Sequence, residues 1–312
     1  MTRILSYNIL YGGTSRVSEL TKMIGSVQPD VVGLVEARDP HVVEELAHRL
    51  GMQYCSTTHG NCLRKYEAAV LSRLPIVHTE IYLCPGILTR PLLEVCVEEV
   101  SGQHLTLFVT HLSAAFNRLW AGDCIRRREV RELLRIMAPR QGTPHLLMGD
   151  FNTLSPGDAF RGSQLLRYML YIEPQLKLES EWKQGYTAVK GHPSLNFVVP
   201  PYLRILKPLL RAVPHSKLFC ELFDAAAALY VPRGSIKLLR DIGYVDCFRR
   251  VNPHAWGFTC PASAPAGRID YIFASPQLAR RLTTCGVVTE AEDISGEQAS
   301  DHFPVFAEFD TE

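Results

Sequence analysis

His145-Leu146-Leu147-Met148-Gly149-Asp150-Phe151-Asn152 sets an acid and an amide directly behind a short apolar run. Residues 145–149 read as a short buried strand that ends by delivering Asp150, with Asn152 two residues on. The same construction recurs along the chain. Ile4–Tyr7 leads to Asn8, Val31–Val35 to Glu36 and Leu105–Thr110 to His111, while Asp301-His302 stands just before the strand Val305–Phe309. Asp270 sits inside a sixth such strand, Arg268–Phe273. Apolar strands hold their termini rigidly, so polar residues placed there converge on one edge of a sheet. Each of these residues alone says little; their joint arrangement says much more.

Between the strands the period changes. Val17, Leu20, Ile24 and Val27 recur at steps of three and four, which predicts a helix with one apolar face, stopped by Pro29-Asp30. A second helix is expected over His41–Leu50 and a charged amphipathic one over Cys124–Met137. Ala68–Leu71 and Cys285–Thr289 read as further strands, and Val95–Val100 as a partner of Leu105–Thr110 across Ser101-Gly102. Alternation of this kind belongs to an α/β protein. The stretch from about 156 to 235 differs, being rich in aromatics and carrying prolines at 193, 200, 201, 208, 214 and 232. It reads as an elaborated excursion on one domain spanning 1–312, with helices over Tyr202–Leu210 and Leu218–Leu229.

Composition excludes several classes. Apolar residues make up 46% and charged residues 21% of 312, the balance of an ordinary globular chain able to bury a large core. Met1–Leu10 lacks the apolar core and cleavage site of a signal peptide, and nowhere do about 18 uncharged apolar residues run together. Nine scattered cysteines without a Cys-x-x-Cys pair fit reduced thiols, and a cytoplasmic monomer is expected. The formal charge of +1 hides an uneven distribution: residues 161–240 carry 12 Lys/Arg against 5 Asp/Glu, and residues 286–312 carry 8 Asp/Glu and no Lys/Arg. A net +7 segment near a catalytic face would help hold a phosphate-rich substrate.

The strand-end residues fit one chemistry. Hard divalent ions take oxygen ligands, which Asn8, Glu36, Asp150, Asn152 and Asp301 can supply. Phosphodiester hydrolysis needs such an ion, a positioned water and proton-transfer groups. Taken in order, Ser6-Tyr7-Asn8-Ile9, Val35-Glu36, Thr110-His111, Gly149-Asp150-Phe151-Asn152, Arg268-Ile269-Asp270-Tyr271-Ile272-Phe273 and Ser300-Asp301-His302-Phe303-Pro304-Val305 resemble the ordered motifs of the endonuclease/exonuclease/phosphatase superfamily. The resemblance runs over nearly the whole chain.

That resemblance implies a four-layer α/β/β/α sandwich of the DNase I-like kind, with two central mixed sheets and a site at one end. It implies an Mg²⁺- or Mn²⁺-dependent phosphodiesterase, with one ion or two left open. Glu36 is then the primary metal ligand with Asn8 beside it, and Asp301 holds or orients a second ion or its water. Asp150 aligns and activates water, and Asn152 steadies it or a phosphate oxygen. Asp270 orients His302, which stabilises charge on the scissile phosphate, and His111 contacts phosphate or helps protonate the leaving oxygen.

Substrate is less determined. Residues 243–274 are similar to the corresponding run of exonuclease III-like nucleases, but Cys260-Pro261 stands where those enzymes tend to carry tryptophan. Phe248 and Trp256 are candidates for base contact, against packing in the core and covering a loop hinge. Arg73, after Val70-Leu71-Ser72, and Arg127 and Arg128 of the long helix are candidates for phosphate contact, against a strand-end ion pair and a solvated helix face. Tyr168, Trp182, Tyr186, Phe197 and Tyr202 with the basic balance of the excursion could cap single-stranded nucleic acid. Nucleic acid is the first expectation. A small-molecule or lipid phosphoester, a protein–nucleic-acid adduct and a non-catalytic binding member remain as alternatives.

Overall fold

The apolar runs pair into two six-stranded sheets in the structure, a computed structural model describing residues 1–57, 68–175 and 205–311. The strands are β1 Thr2–Asn8, β2 Val31–Val35, β3 Gln53–Ser56, β4 Ala68–Ser72, β5 Ile76–Tyr82, β6 Leu92–Glu98, β7 His104–His111 and β8 His145–Asp150. They continue with β9 Val245–Asp246, β10 Asp270–Ala274, β11 Leu282–Val287, the small hairpin β12 Glu290–Ala291 and β13 Ile294–Ser295, and β14 Val305–Phe309. One sheet has the order β11-β14-β1-β2-β4-β3, the other β5-β6-β7-β8-β10-β9. Each is mixed: β1 with β2 and β7 with β8 run parallel, and their other neighbours run antiparallel.

Alternate residues of each strand face two different apolar layers. Between the sheets lie Ile4, Val31 and Val70 from one side and Val95, Leu107, Met148 and Ile272 from the other. The opposite face of the first sheet packs Leu5, Val32 and Leu71 on helices α1 (Val17–Gly25) and α2 (Pro40–Leu50). The second sheet packs Phe108, Leu147 and Phe273 on α3 (Trp120–Met137) and the helix Gly234–Asp241. The result is the expected α/β/β/α sandwich. The Met148 side chain reaches across to Gly33, where a Cβ would stand 2.3 Å from its Cε, so a larger residue there would push the thioether end aside.

Helix ends follow local chemistry. Asp39 caps α2 by accepting from His41 N, Pro40 opens its first turn and left-handed Gly51 closes it. Helix α3 begins at Trp120, four residues earlier than periodicity placed it. Short β3 and the edge strand β5 were not read from the sequence; solvent-facing His78, Thr79 and Glu80 interrupt the apolar residues at the two ends of β5.

The excursion contributes α4 (Gly162–Arg167), Lys207–Ala212 and Lys217–Tyr230, gathered round Leu166, Met169 and Val213. Trp182, Tyr186, Phe197 and Tyr202 lie outside the described residues. Phe248 is corrected to a core residue: it is 6% exposed and packs with the inter-sheet layer.

Arg268, fully buried, is the largest charged group in this core. Its guanidinium donates to both Asp246 oxygens at 2.8 and 2.6 Å and to Asp158 Oδ2 at 2.9 Å, while Arg249 donates to Asp158 Oδ1 at 2.7 Å. Removing Arg268 would leave buried carboxylates unpaired. Arg268→Met is therefore expected to destabilise the chain by about 3–5 kcal/mol in urea unfolding, and an unchanged midpoint would refute the ion cluster as a support of the fold.

Candidate active site

Strand direction assembles the site. Parallel β1 and β2 end at Asn8 and Val35, with Glu36 next. In the other sheet, parallel β7 and β8 end together at His111 and Asp150, and antiparallel β10 begins opposite Asp150 with Asp270. Antiparallel β14 starts beside the end of β1, pairing Val305 with Ser6, so the preceding Asp301 and His302 reach the same edge. Local backbone choices complete the placement. Gly149 has φ 136°, and a Cβ there would lie 1.9 Å from the Thr110 carbonyl oxygen, which explains the glycine before Asp150. Glu36 and Asn152 are held left-handed at φ 59° and 50°, conformations that ordinary side chains adopt only under constraint.

Hydrogen bonds fix the side chains. Asp270 Oδ2 lies 2.8 Å from His302 Nδ1, and Thr259 Oγ1 accepts from the backbone N–H of Asp270 at 3.2 Å. His302 Nε2 is then 3.9 Å from Asp150 Oδ2, and His111 Nε2 is 3.4 Å from the same oxygen. Asn152 donates its backbone N–H to Asp150 Oδ1 at 2.8 Å and its amide to the Leu112 carbonyl at 2.9 Å. Asn8 Nδ2 bridges Asp150 Oδ2 at 3.2 Å and Glu36 Oε1 at 3.4 Å, while its Oδ1 accepts from Leu10 N at 3.0 Å. Tyr11 N donates to Glu36 Oε2 at 2.9 Å. Ser300 Oγ donates to the Asn8 carbonyl at 2.7 Å and accepts from His302 N at 3.2 Å, tying the last loop to β1.

Charge crowding is the dominant electrostatic fact. Burial and then the neighbouring Asp270 carboxylate push the Asp150 carboxyl up to about 7. Burial and Asp301 also raise Glu36. Burial alone would lower the His302 imidazole, but Asp270, helped by Cys260 and Asp301, carries it well above its usual range. His111 goes the other way, lowered by burial and by Arg90, His302 and Arg38 nearby. Among the described residues, Asp150, Asp270 and His302 bring ligand-type atoms within 4.8 Å of one another, a buried set consistent with a divalent metal site. The donors suit a cation, since a doubly positive ion relieves the repulsion that raises Asp150 and Glu36. Within that set, however, His302 Nδ1 and Asp270 already engage each other.

A family model described as the Endonuclease/Exonuclease/phosphatase family matches residues 5–302. The chain belongs to this family. A search of curated protein sequences finds no significant match. Solved structures similar to this family member include an AP endonuclease from Archaeoglobus fulgidus, 16% identical with all of both chains covered and a TM-score of 0.61. The 3'-5' exonuclease NExo from Neisseria meningitidis is 17% identical over 99% of this chain and 100% of that one, with a TM-score of 0.59. D. rerio TDP2 complexed with a single-strand DNA product is 17% identical over 99% of both chains, with a TM-score of 0.59. At such identities the likeness concerns the fold. Family membership and the buried donor set together make the chain a metal-dependent phosphodiester hydrolase.

The fold brings together Asn8, Glu36, His111, Asp150, Asn152, Asp270, Asp301 and His302. It does not bring Arg73. Strand β4 is antiparallel to β2, so Ser72 pairs with Val31 at the far end of the sheet, and Arg73 donates to the Pro29 carbonyl there at 3.2 Å. Of the arginine triplet, Arg128 is exposed, Arg127 is half-buried, and Arg126 is buried in the field of Asp123, Glu129 and Asp150. Helical spacing carried that signal: Arg126 shares the inward stripe of Val130, Leu133 and Met137. Arg38 and Arg90, both in the field of Glu36, were also missed, and their irregular segments offer no periodicity to betray them. Trp256 stays 48% exposed, with the Arg161 guanidinium 3.7 Å above its ring and Phe258 5.1 Å away.

Asp270→Asn should keep the strand and its shape while weakening the hold on a charged His302. Turnover on any accepted phosphodiester is expected to fall about 100-fold or more with an unchanged circular dichroism spectrum, and wild-type turnover would show that the pair is only structural.

Proposed function

We propose that this phosphodiesterase cleaves nucleic acid, using Mg²⁺ or Mn²⁺ held by Glu36, Asp301 and the amide oxygen of Asn8. The observation that carries the substrate reading is the exposed Trp256 with Arg161 stacked on it and Phe258 beside it. These rings lead directly into Thr259, whose hydroxyl supports the backbone of Asp270. A ring face paired with a guanidinium suits an unstacked base and its phosphate, and has little use against a sugar phosphate. Arg38 and Arg90, whose fields reach Glu36 and His111, offset the acidic centre for an anionic substrate. The similar structures include an AP endonuclease, a 3'-5' exonuclease and a protein bound to a single-strand DNA product, which supports the same class.

A bound divalent cation supplies the charge that balances phosphate oxygens and the developing oxyanion. The protein does the rest. Asp150, held by Asn152 N on one oxygen and Asn8 Nδ2 on the other, accepts the proton of the attacking water. Asn152 orients that water or a phosphate oxygen. His302, kept charged by Asp270, donates Nε2–H to the phosphate as negative charge builds, and His111 donates a hydrogen bond from the other side. As a ligand Asn8 would offer its Oδ1, whose second lone pair is left over beside the bond it accepts from Leu10 N. Two coarser expectations go with the reading. The chain is taken as a cytoplasmic monomer; every cysteine among the described residues is free, which fits a reduced setting, and no helix among them is long and apolar enough to cross a membrane.

The test is a panel of supercoiled plasmid, labelled single- and double-stranded DNA and RNA, lipid phosphodiesters and sugar phosphates, each with Mg²⁺ and with Mn²⁺. Nucleic acid is expected to be cleaved, chelation to abolish cleavage and Glu36→Gln to shift the metal titration to higher concentration. Trp256→Ala should raise KM on single strands. Inert nucleic acid beside a turned-over lipid or sugar phosphate overturns the substrate, and activity that survives chelation overturns the metal.

A further inference from the structure

We infer that Glu129 and Arg126 of α3 are positioning residues that set His111 for the reaction. The inference rests on the role proposed above for His111.

After His111 the chain leaves β7 in a loop that has no regular structure of its own. Partners from four places nevertheless hold its backbone. Leu112 N donates to the Asp150 carbonyl at 2.9 Å, which continues the strand pairing one residue past the end of β7. The Leu112 carbonyl accepts from Asn152 Nδ2 at 2.9 Å and from Arg90 Nη1 at 2.6 Å. Ser113 N donates to Glu129 Oε2 at 3.0 Å, and the Ser113 carbonyl accepts from Arg126 Nη1 at 3.2 Å. The residue after His111 is thus pinned to the site, and the next one is pinned to α3.

Glu129 is the centre of this clamp. It is 1% exposed, yet its charge is spread over donors from two separate segments. Oε2 takes Ser113 N, and Oε1 takes both the backbone N–H and the hydroxyl of Thr89, at 3.1 and 2.5 Å. Thr89 precedes Arg90, so one carboxylate fixes the turn that supplies the arginine on Leu112 as well as the loop that carries His111. Three donors on two oxygens is an arrangement that a carboxylate meets and an amide does not: a glutamine would set its own N–H groups against either Ser113 or Thr89. Arg126 completes the hold on Ser113 from one turn earlier on the same face of α3, with Asp123, Glu129 and Asp150 around it. None of these groups needs to touch substrate. Their effect passes through the backbone to an imidazole whose Nε2 stands 3.4 Å from Asp150, and displacements of about 0.5 Å matter at such a centre.

The experiment compares Glu129→Gln, Glu129→Asp and Arg126→Met in the wild type and in a His111→Ala background, on whichever phosphodiester the wild type turns over. A failure of the nucleic-acid reading is then visible in the wild type alone. Glu129→Gln is expected to lower kcat about tenfold or more with KM nearly unchanged, and Glu129→Asp, which restores the two acceptors, to recover part of the loss. Once His111 is gone the same change should cost less than about threefold, because the imidazole that the clamp sets is gone and only its weaker hold on the Arg90 turn is left to lose. An undiminished loss in the His111→Ala background overturns the inference, as does a lowered Tm with kcat of the folded enzyme unchanged. If Glu129→Gln does not fold, Arg126→Met carries the same comparison, its long apolar stem filling the space while the bond to Ser113 is lost.

Discussion

Asp150 lies opposite His111 in the parallel pairing of β8 with β7 and opposite Asp270 in the antiparallel pairing of β8 with β10. A strand shifted by one residue turns every side chain to the other face, which would send Asp150 away from its partners and put Gly149 where a side chain is needed. The register is held because Leu147 faces the helical layer and Leu146 and Met148 face the other sheet, so a slip would exchange two differently shaped apolar surfaces. Packing far from the chemistry therefore decides where the central carboxylate stands. The other sheet answers to the same packing, because Met148 fills the space beside Gly33 on β2, the strand that brings Glu36 to the same edge.

Once in register, the strands gather more negative charge than the protein itself neutralises. Burial and mutual repulsion raise Asp150 and Glu36, while His302 takes a proton in response to Asp270. The imidazoles divide accordingly: the one bonded to a carboxylate is charged, and the one facing arginines is neutral. Two histidines at comparable depth thus acquire different states from their neighbours alone, the kind of division on which hydrolysis with separate proton donors and acceptors depends.

Much of this was legible in the sequence because strand termini are local signals. An apolar run followed by Asn8, Glu36, His111 or Asp150 announces both the strand and the residue it delivers, and the two sheets place those residues together. What could not be read was direction. Arg73 follows its strand in the same manner as Glu36, yet β4 runs against β2 and carries it to the opposite end. Nor does a run of three arginines say which faces inward, although the helical stripe through Val130 and Leu133 would have chosen Arg126. Phe248 shows a third limit, since an aromatic near a motif serves a core as readily as a substrate. The edge strand β5 escaped because its middle, Val77 to Glu80, faces water and only its ends, Ile76, Ile81 and Tyr82, reach the core.

The ion cluster around Arg268 has a consequence for how such a chain can change over time. Asp158 lies at the start of the excursion, and Asp246 and Arg249 lie some ten residues past its end, all bonded within one ion cluster. Arg233 closes the neck a second time by donating to the carbonyls of Ser155 and Asp158, both at 2.7 Å. The chain between these points therefore departs from and returns to a pre-tied knot, and the catalytic sheets do not register how long it is. Closing a longer flexible segment adds only about 0.6 kcal/mol for each doubling of its length. Between α4 and Lys207–Ala212 a change in chain length thus costs little at the neck, and what the fold carries there can differ while its hydrolytic centre stays unchanged.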